Sequence, residues 1–379
     1  MHNANTYDVA IIGGGVGGLS LAALMARQGY RVAVFEKEQY PFHKVCGEYI
    51  SMESWPFLER LGLPLSRMNL PQISKLHVSA PSGASIVHDL DPGGFGISRY
   101  LLDHKLAELA RERGAEVFES CTVDDIRFAN DRHEIKTSQG AFFARLCVGA
   151  YGKRGKPDFK LKRKFISQRT ERARQYIAVK YHVEADLPHD AIGLHIFKNG
   201  YCGISQIEGG KYCLCYLSRA SNLSDSGNSI ERMQTDVLEK NPYLKSYFDN
   251  YPRLWGRPVT ISQISFEKKA LVEAHIMMLG DAAGLIAPLC GNGMSMAMRA
   301  AQILSVRADL FLNGNCSRTE LERTYSTLWR REFNSRLATG RILQSLFGDP
   351  TMSDLLIHAL RPFPGIVSQL VKLTHGKSF

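Results

Sequence analysis

Long apolar runs are missing from this chain. The longest weakly charged stretch, Ile276 to Met298, is interrupted by Asp281 and by Gly280, Gly284, Gly291 and Gly293. A membrane-spanning helix needs ~20 predominantly apolar residues without such breaks, so no span is expected. The first residues (Met1-His2-Asn3-Ala4-Asn5-Thr6) do not pair a basic region with an apolar one, and no secretory leader is expected. Eight cysteines are present, yet none forms a CxxC pair or a Cys/His cluster at zinc spacing. A structural metal is therefore not expected. Most of these cysteines lie in apolar runs, where a reduced thiol behaves as a small hydrophobe. The expected location is the cytoplasm, with peripheral attachment to a membrane left open. Internal repeats and low-complexity tracts are also missing.

Acidic charge is in shorter supply than basic charge: 37 Asp and Glu stand against 47 Lys and Arg, for a net charge of +10 over 379 residues. The excess is local. Residues 152–174 carry ten basic side chains and two acidic ones, so this segment accounts for +8. Only Phe159 and Phe165 interleave with it, and no nucleic-acid-binding motif accompanies it, which leaves a nucleic-acid partner remote. Two readings of the segment stand: a solvated loop, or a rim that docks an anionic carrier such as a carrier protein, coenzyme A or an acidic membrane surface.

What is present begins at the N-terminus. Tyr7 to Ile12 reads as a buried strand, followed by Gly13-Gly14-Gly15-Val16-Gly17-Gly18, a helical pattern, a second strand Arg31 to Phe35, and Glu36. Gly13 permits a tight turn, Gly15 lets the backbone approach a pyrophosphate, and Gly18 lets the helix pack on the sheet. The helix N-terminus offers free N–H groups to phosphate. Glu36, with Lys37 beside it, can accept from ribose hydroxyls, which suits FAD or NAD and disfavours a 2′-phosphate. A second signature lies far away. Ile276–Leu279 reads as a strand, followed by Gly280-Asp281-Ala282-Ala283-Gly284, Pro288 and Gly291-Asn292-Gly293-Met294 at the start of an apolar helix ending at Asn313-Gly314. Asp281 can accept from ribityl hydroxyls, and the helix start can stabilise an anionic reduced flavin.

With both signatures in hand, the sequence resembles the flavoprotein monooxygenase and geranylgeranyl reductase superfamily, with a para-hydroxybenzoate hydroxylase-like fold. The supporting blocks are Asp8–Glu36, Lys44-Val45-Cys46-Gly47-Glu48, Ser98-Arg99-Tyr100-Leu101-Leu102-Asp103 and Gly280–Met294. The resemblance implies FAD as cofactor, with NAD(P)H as an electron donor left open. It implies an adenosine-ribose role for Glu36, a ribityl contact for Asp281, Arg99 near the cofactor, and a backbone contact to adenine near Val123. Gly13, Gly15, Gly18, Lys37, Lys44, Cys46, Gly47, Gly280, Pro288, Gly291, Gly293 and Met294 complete the expected cofactor set. Two departures stand out. The family's Gly-Ala-Asp-Gly block is Gly149-Ala150-Tyr151-Gly152 here, which counts against efficient direct use of NAD(P)H. The reductases' Tyr-x-Trp-x-Phe-Pro strand has as its nearest counterpart Tyr201-Cys202-Gly203-Ile204-Ser205-Gln206, so its lipid-binding role does not carry over.

The expected fold class is α/β, with a Rossmann-type FAD-binding domain containing a parallel sheet, a mostly antiparallel substrate sheet, and C-terminal helices. The expected boundaries are 1–70, 97–155 and 270–315 for the FAD-binding domain, 71–96 and 156–269 for the substrate domain, and 316–379 for the helical end. Ser317-x-x-Glu320 is a capping box that opens a long helix, with Leu321, Tyr325, Leu328, Phe333, Leu337 and Ile342 on one face and Arg330, Arg331, Arg336 and Arg341 elsewhere. The tail from Leu355 reads as a terminal helix packed on the domain, with a lid or a shallow membrane contact as the alternative.

The catalytic candidates are Cys46 and Glu48. In the resembled reductases a Cys-Gly pair lies over the isoalloxazine, where a thiol could protonate a carbon that has just accepted hydride from flavin N5. The alternative is that Cys46 only packs against the ring while Glu48 holds the loop. His43 reads as a surface or loop residue. The first functional reading is a reductase or dehydrogenase acting on a lipophilic polyketide-like or isoprenoid molecule. The second is a monooxygenase hydroxylating an aromatic or phenolic substrate through a C4a-hydroperoxyflavin.

Overall fold

The computed structural model describes residues 5–167, 175–264, 266–287, 289, 291–346 and 349–379. β1 (Thr6–Ile12) runs into α1 (Val16–Arg27) and returns as β2 (Val32–Phe35). β1 and β2 are largely apolar because both faces of a parallel sheet are covered. β3 (Tyr49–Ser51), α2 (Trp55–Leu61), β4 (Gln72–Ser79) and β5 (Ser85–Gly96) follow, then α3 (Arg99–Glu112). β6 (Glu116–Phe118) joins the first sheet. β7 (Val123–Ala129), β8 (Arg132–Thr137) and β9 (Gly140–Gly149) form an antiparallel meander. β9 comes back to lie parallel to β1 in register Ile11 to Val148.

Two short helices, α4 (Lys156–Lys160) and α5 (Lys164–Ser167), lead out of the first sheet. β10 (Tyr176–Val183), β11 (Ala191–Phe197), β12 (Gly200–Gln206) and β13 (Tyr212–Arg219) then form antiparallel neighbours, apart from the parallel β11–β4 pair. α6 (Ala220–Asp225), α7 (Ile230–Asp236) and α8 (Pro242–Asn250) cover one face, and β14 (Val259–Ile264) closes an edge against β10. β15 (Val272–Glu273) and β16 (Ile276–Met278) return to the first sheet. α9 (Gly293–Leu312), α10 (Arg318–Leu346), α11 (Pro350–Leu360) and α12 (Pro364–Thr374) finish the chain.

Two eight-stranded sheets result. The first has the order β15-β16-β9-β1-β2-β6 with β7 and β8 attached through β9, and the second has the order β14-β10-β13-β12-β11-β4-β5-β3. The expected α/β class holds, with a parallel core in one sheet, a mostly antiparallel second sheet and helices at the C-terminal end. α1 and α9 pack together across the first sheet so closely that a Cβ on Gly17 would lie 3.2 Å from Ala297.

α10 departs from the expected face. Its buried stripe is Leu321, Tyr325, Trp329, Phe333 and Leu337, while Leu328 is half-buried and Ile342 is exposed. At 3.6 residues per turn, a stripe phased on Leu321 returns to Leu343, not Ile342. Arg336 also leaves the exposed set: it is buried, with its Nη1 3.3 Å from Glu53 Oε1. The tail forms two helices rather than one.

Candidate functional site

β1 ends at Gly13, whose φ of +105° makes the turn into α1. A Cβ at Gly13 would lie 2.5 Å from the Ala150 carbonyl oxygen, and one at Gly18 would lie 2.2 Å from the Gly13 carbonyl oxygen. These positions demand glycine for packing. Gly15 is different: an added Cβ would meet only Arg99 Nη2 at 3.5 Å and Lys44 Nζ at 3.9 Å. Two cations therefore converge on the open side of Gly15. Gly15 is also the N-cap of α1 and offers no side-chain cap, so the first-turn N–H groups remain available to a phosphate.

The carboxylates arrange these cations. Asp103 is buried and takes Arg99 in a bidentate pair, Nε to Oδ1 at 2.8 Å and Nη2 to Oδ2 at 2.7 Å, with Lys44 Nζ at 3.0 Å. Burial pushes the Asp103 carboxyl up, but Arg99 and Lys44 outweigh it and hold the pKa below its ordinary value. Glu36, at the end of β2, accepts from the Gly14 N–H at 2.9 Å and the Glu38 N–H at 3.1 Å, and lies 3.7 Å from Lys44 Nζ. Lys37 is not part of this cluster: its exposed ammonium pairs with Glu38. Val123 stands at the start of β7 on the wall of a shallow groove shared with Ile126, Pro157, Lys160 and Leu161.

The second signature closes on the same region. Gly280 adopts φ of +60° after β16, and Gly280, Asp281, Gly284, Gly293, Ala297 and Trp329 are among the residues lining a small cavity against α9 and α10. Lys269 Nζ donates to the Asp281 carbonyl at 2.8 Å. Its burial lowers its pKa to about 8, against the opposing pull of the Asp281 charge. Gly291 has φ of +67°, and a Cβ there would lie 2.8 Å from the Tyr49 ring. Pro288 lies outside the described residues. Met294, in the first turn of α9, places its Sδ 4.0 Å from Cys46 Sγ.

The loop 44–48 is fastened to the second sheet by residues that no local sequence pattern marks. Glu48 is fully buried at φ of +56°. Its carboxylate accepts from the Arg99 backbone N–H at 2.8 Å, from Lys180 Nζ, and from His182 Nε2 at 2.6 Å. Lys180 Nζ also donates to the Lys44 carbonyl at 3.1 Å, and Cys213 Sγ to the Cys46 carbonyl at 3.3 Å. Burial pushes the Glu48 pKa up, but the His182 hydrogen bond and the Lys180 charge bring it below the ordinary value. These contacts tie the 44–48 loop to β10 and to the start of α3 through the Glu48 carboxylate, which is the loop-holding alternative of the two readings of Glu48. Glu48, His182 and Cys213 do bring three metal-ligating atoms within 4.8 Å of one another, but Lys180 already neutralises the carboxylate. His43 lies in the loop between β2 and β3, half-buried, with its ring 4.1 Å from that of Trp255 and 4.7 Å from that of Tyr100, and burial lowers its pKa to about 4.

Beside this loop, Val45 packs with Tyr201, Leu217, Leu285 and Leu194 in an apolar cluster, and a second cluster joins Tyr49, Ile73, Leu76 and Leu90. Nothing in the protein lies within 4 Å of a Cβ built on Gly47. Cys46 is half-buried, packs on the core of the first sheet and lies beside Met294, while its neighbour Val45 joins the apolar face of the second sheet.

Tyr151, where the resembled family has Asp, donates to Asp158 at 2.9 Å. Asp158 pairs with Arg163 at 2.8 Å, and Arg163 also reaches the carbonyls of Ala282 at 3.0 Å and Ala270 at 2.7 Å. Arg163 is 1% exposed. It belongs to neither a solvated loop nor a docking rim, which corrects the reading of that position in the basic segment. Arg169, Arg172 and Arg174 lie outside the described residues.

The glycine turn, two cations at its open side, an uncapped helix start and the buried Glu36 carboxylate fit the diphosphate and ribose of FAD. The profile of the FAD binding domain family matches residues 6–333. Conditioned medium factor receptor 1 of Dictyostelium discoideum is 24% identical over 380 aligned positions, covering 90% of this chain and 70% of that protein. Digeranylgeranylglycerophospholipid reductase 2 of Methanococcoides burtonii is 23% identical, covering 97% and 91%. A geranylgeranyl bacteriochlorophyll reductase-like protein from Thermoplasma acidophilum superposes with a TM-score of 0.79 at 18% identity, covering 99% and 97%. The cradle, the acid and the matched span agree, and the chain belongs to the FAD binding domain family of flavoprotein oxidoreductases, with FAD as its cofactor.

Proposed function

We propose that this flavoprotein is a reductase or dehydrogenase of a lipophilic small molecule, of isoprenoid or polyketide-like character. The observation that carries the reading is the 44–48 loop, which holds a half-buried thiol beside Met294, with its neighbour Val45 on the apolar face of the second sheet. FAD, when bound, supplies or accepts hydride. Gly13, Gly15, Gly18, Lys44 and Arg99 would hold its diphosphate, and Glu36 its adenosine ribose. Asp281 and the start of α9 would face its ribityl and isoalloxazine end. Glu48, fastened by Lys180 and His182, fixes the height of the loop above the sheet. Val45, Leu194, Tyr201 and Leu217 exclude water and orient an apolar chain. Cys46 holds a proton at Sγ and delivers it to the substrate carbon opposite the one that accepts hydride. Tyr151, with its hydroxyl bound to Asp158, leaves no carboxylate at the position linked to nicotinamide binding, which favours a separate electron carrier as donor.

The test is single-turnover chemistry. Chemically reduced, FAD-loaded protein is mixed without oxygen with polyunsaturated isoprenoid substrates, and the product mass is measured. Two added hydrogens support the reading. Turnover only in air with one added oxygen refutes it and assigns hydroxylation. Cys46→Ala should slow product formation by ~10²-fold or more if the thiol is the acid, while FAD binding persists.

A further inference from the structure

The turn that carries Asp281 is held by cations from elsewhere in the chain. In the short turn Gly280–Ala282, the Gly280 carbonyl accepts from the backbone N–H groups of Ala283 at 2.9 Å and Gly284 at 3.2 Å. The next two carbonyls go to side chains. Lys269 Nζ donates to the Asp281 carbonyl at 2.8 Å and to the Lys153 carbonyl at 2.7 Å. Arg163 Nη1 donates to the Ala282 carbonyl at 3.0 Å, and its Nη2 to the carbonyl of Ala270, the neighbour of Lys269, at 2.7 Å. Both cations lie over the buried Phe165 ring, with Lys269 Nζ 4.5 Å and Arg163 Cζ 5.2 Å from its centre. Asp158 keeps Arg163 in place at 2.8 Å and is itself held by the Tyr151 hydroxyl and the Gly155 N–H, each at 2.9 Å.

What the cations leave alone is informative. A carboxylate makes a stronger hydrogen bond to a cation than an uncharged carbonyl does. Yet Lys269 and Arg163 take the carbonyls of residues 281 and 282, and among the described residues the Asp281 carboxylate has no hydrogen-bond or ion-pair partner. Its charge acts on Arg99, the cation at the open side of Gly15, as well as on Lys269. The peptide is fixed from behind, and the carboxylate is left for a ligand on the cradle side.

We propose that Arg163 and Lys269 are positioning residues for FAD: they hold the Asp281–Ala282 peptide so that the Asp281 carboxylate meets the ribityl hydroxyls. The proposal rests on the assignment of Asp281 to the ribityl chain made above, and it is independent of the reaction that the flavin performs. It also gives the buried part of the basic segment a task that a solvated loop or a docking rim does not have. The charged groups facing Lys269 are Asp281 from the turn, Asp158 from α4, Arg163 from the link between α4 and α5, and Lys153 from the end of β9. Burial lowers the Lys269 pKa to about 8, with Asp281 and Asp158 pulling the other way. The stronger, charge-assisted hydrogen bond is therefore present below about pH 8 and lost above it.

The experiment is titration of the full chain, freed of flavin, with FAD, read by quenching of flavin fluorescence at pH 6.5 and pH 9.5. Wild type should bind at least ~5-fold more weakly at the higher pH, and Lys269→Arg, whose guanidinium stays charged, should lose that slope. Lys269→Met should bind ~10-fold more weakly at pH 6.5 and show no slope, and Arg163→Lys, which keeps the charge but not the fork across two carbonyls, should bind several-fold more weakly. Asp281→Asn should also bind ~10-fold more weakly, and adding Lys269→Met to it should cost less than ~2-fold more, because the lysine acts through the carboxylate. Thermal unfolding of each flavin-free variant reports the fold separately. Wild-type affinity in Lys269→Met beside a weakened Asp281→Asn would overturn the proposal and leave the Asp281 assignment standing, whether or not the flavin-free variant melts lower. Wild-type affinity in Asp281→Asn would overturn both. Additive losses in the double variant, or a wild-type pH slope kept by Lys269→Arg, would overturn the positioning role.

Discussion

Replacing Glu48 by Gln tests the fastening of the loop. The substitution keeps the side chain's shape and removes one charge. In the native protein Glu48 and Lys180 are both fully buried, and the carboxylate serves Lys180, His182 and the Arg99 N–H at once. The variant leaves the Lys180 ammonium buried without its counterion, a situation that costs ~3–5 kcal/mol. Lys180→Met added to Glu48→Gln removes the stranded charge, so the double variant should be about 1–2 kcal/mol more stable than Glu48→Gln alone. Urea unfolding read by fluorescence suits the question, because the Trp255 ring lies 4.3 Å from that of His182 and 5.6 Å from Lys180 Nζ. The pH dependence carries a sign. Glu48 titrates below its ordinary value, so its contribution is present above the unfolded pKa of ~4.3 and is lost as pH falls through the lower folded value. Lys180 titrates above its ordinary value despite burial, owing to Glu48, so its contribution is present below ~10.4 and lost as pH rises beyond that. Wild-type stability should therefore fall in acid more steeply than that of the Glu48→Gln, Lys180→Met double variant, which lacks both groups. A loss under ~1 kcal/mol, or a double variant no better than the single, would refute the clamp.

Two glycines separate packing from ligand approach. Gly18→Ala should damage the fold itself, because its Cβ would collide with the Gly13 carbonyl, while Gly15→Ala should fold normally and bind FAD at least ~10-fold more weakly; circular dichroism and FAD titration distinguish them. His195 is fully buried between Ser79 and Tyr247, and burial lowers its pKa to about 3. Its contribution is therefore present above the unfolded value of ~6.5 and is lost as pH falls towards 3, a slope that His195→Gln should flatten in urea melts taken across that window.

The cradle was legible because strand, glycines, helix and acid are contiguous, and each has a local reason to be where it is. The same holds for the β7–β9 meander and for β10–β13, whose alternation and Asn199-Gly200 turn lie within a few residues. Lys180 and His182 were not legible. They sit in a strand that reads as any β-strand does, and their partner Glu48 is 132 and 134 positions away. Arg163 was hidden by company: a run of bases suggests a wet surface, and only the folded chain brings Asp158 and the Ala270 and Ala282 carbonyls around it. The face of α10 was misphased by one residue at two places, Leu328 for the buried Trp329 and Ile342 for Leu343, because leucine and isoleucine were chosen where the 3.6-residue period calls for the next position.

The order of strands in the first sheet also bears on how the protein is made. β1, β2 and α1 leave the ribosome first, but β16 and α9, which supply Leu279 and Ala297 against Gly17, are encoded some 270 residues later. The whole second sheet is synthesised in between. Until α9 emerges, the side of α1 that carries Gly17 lacks its partner and the cradle for the cofactor has no second half. A nascent chain of this protein should therefore capture FAD only near the end of translation, and a truncation before Leu312 should not capture it at all.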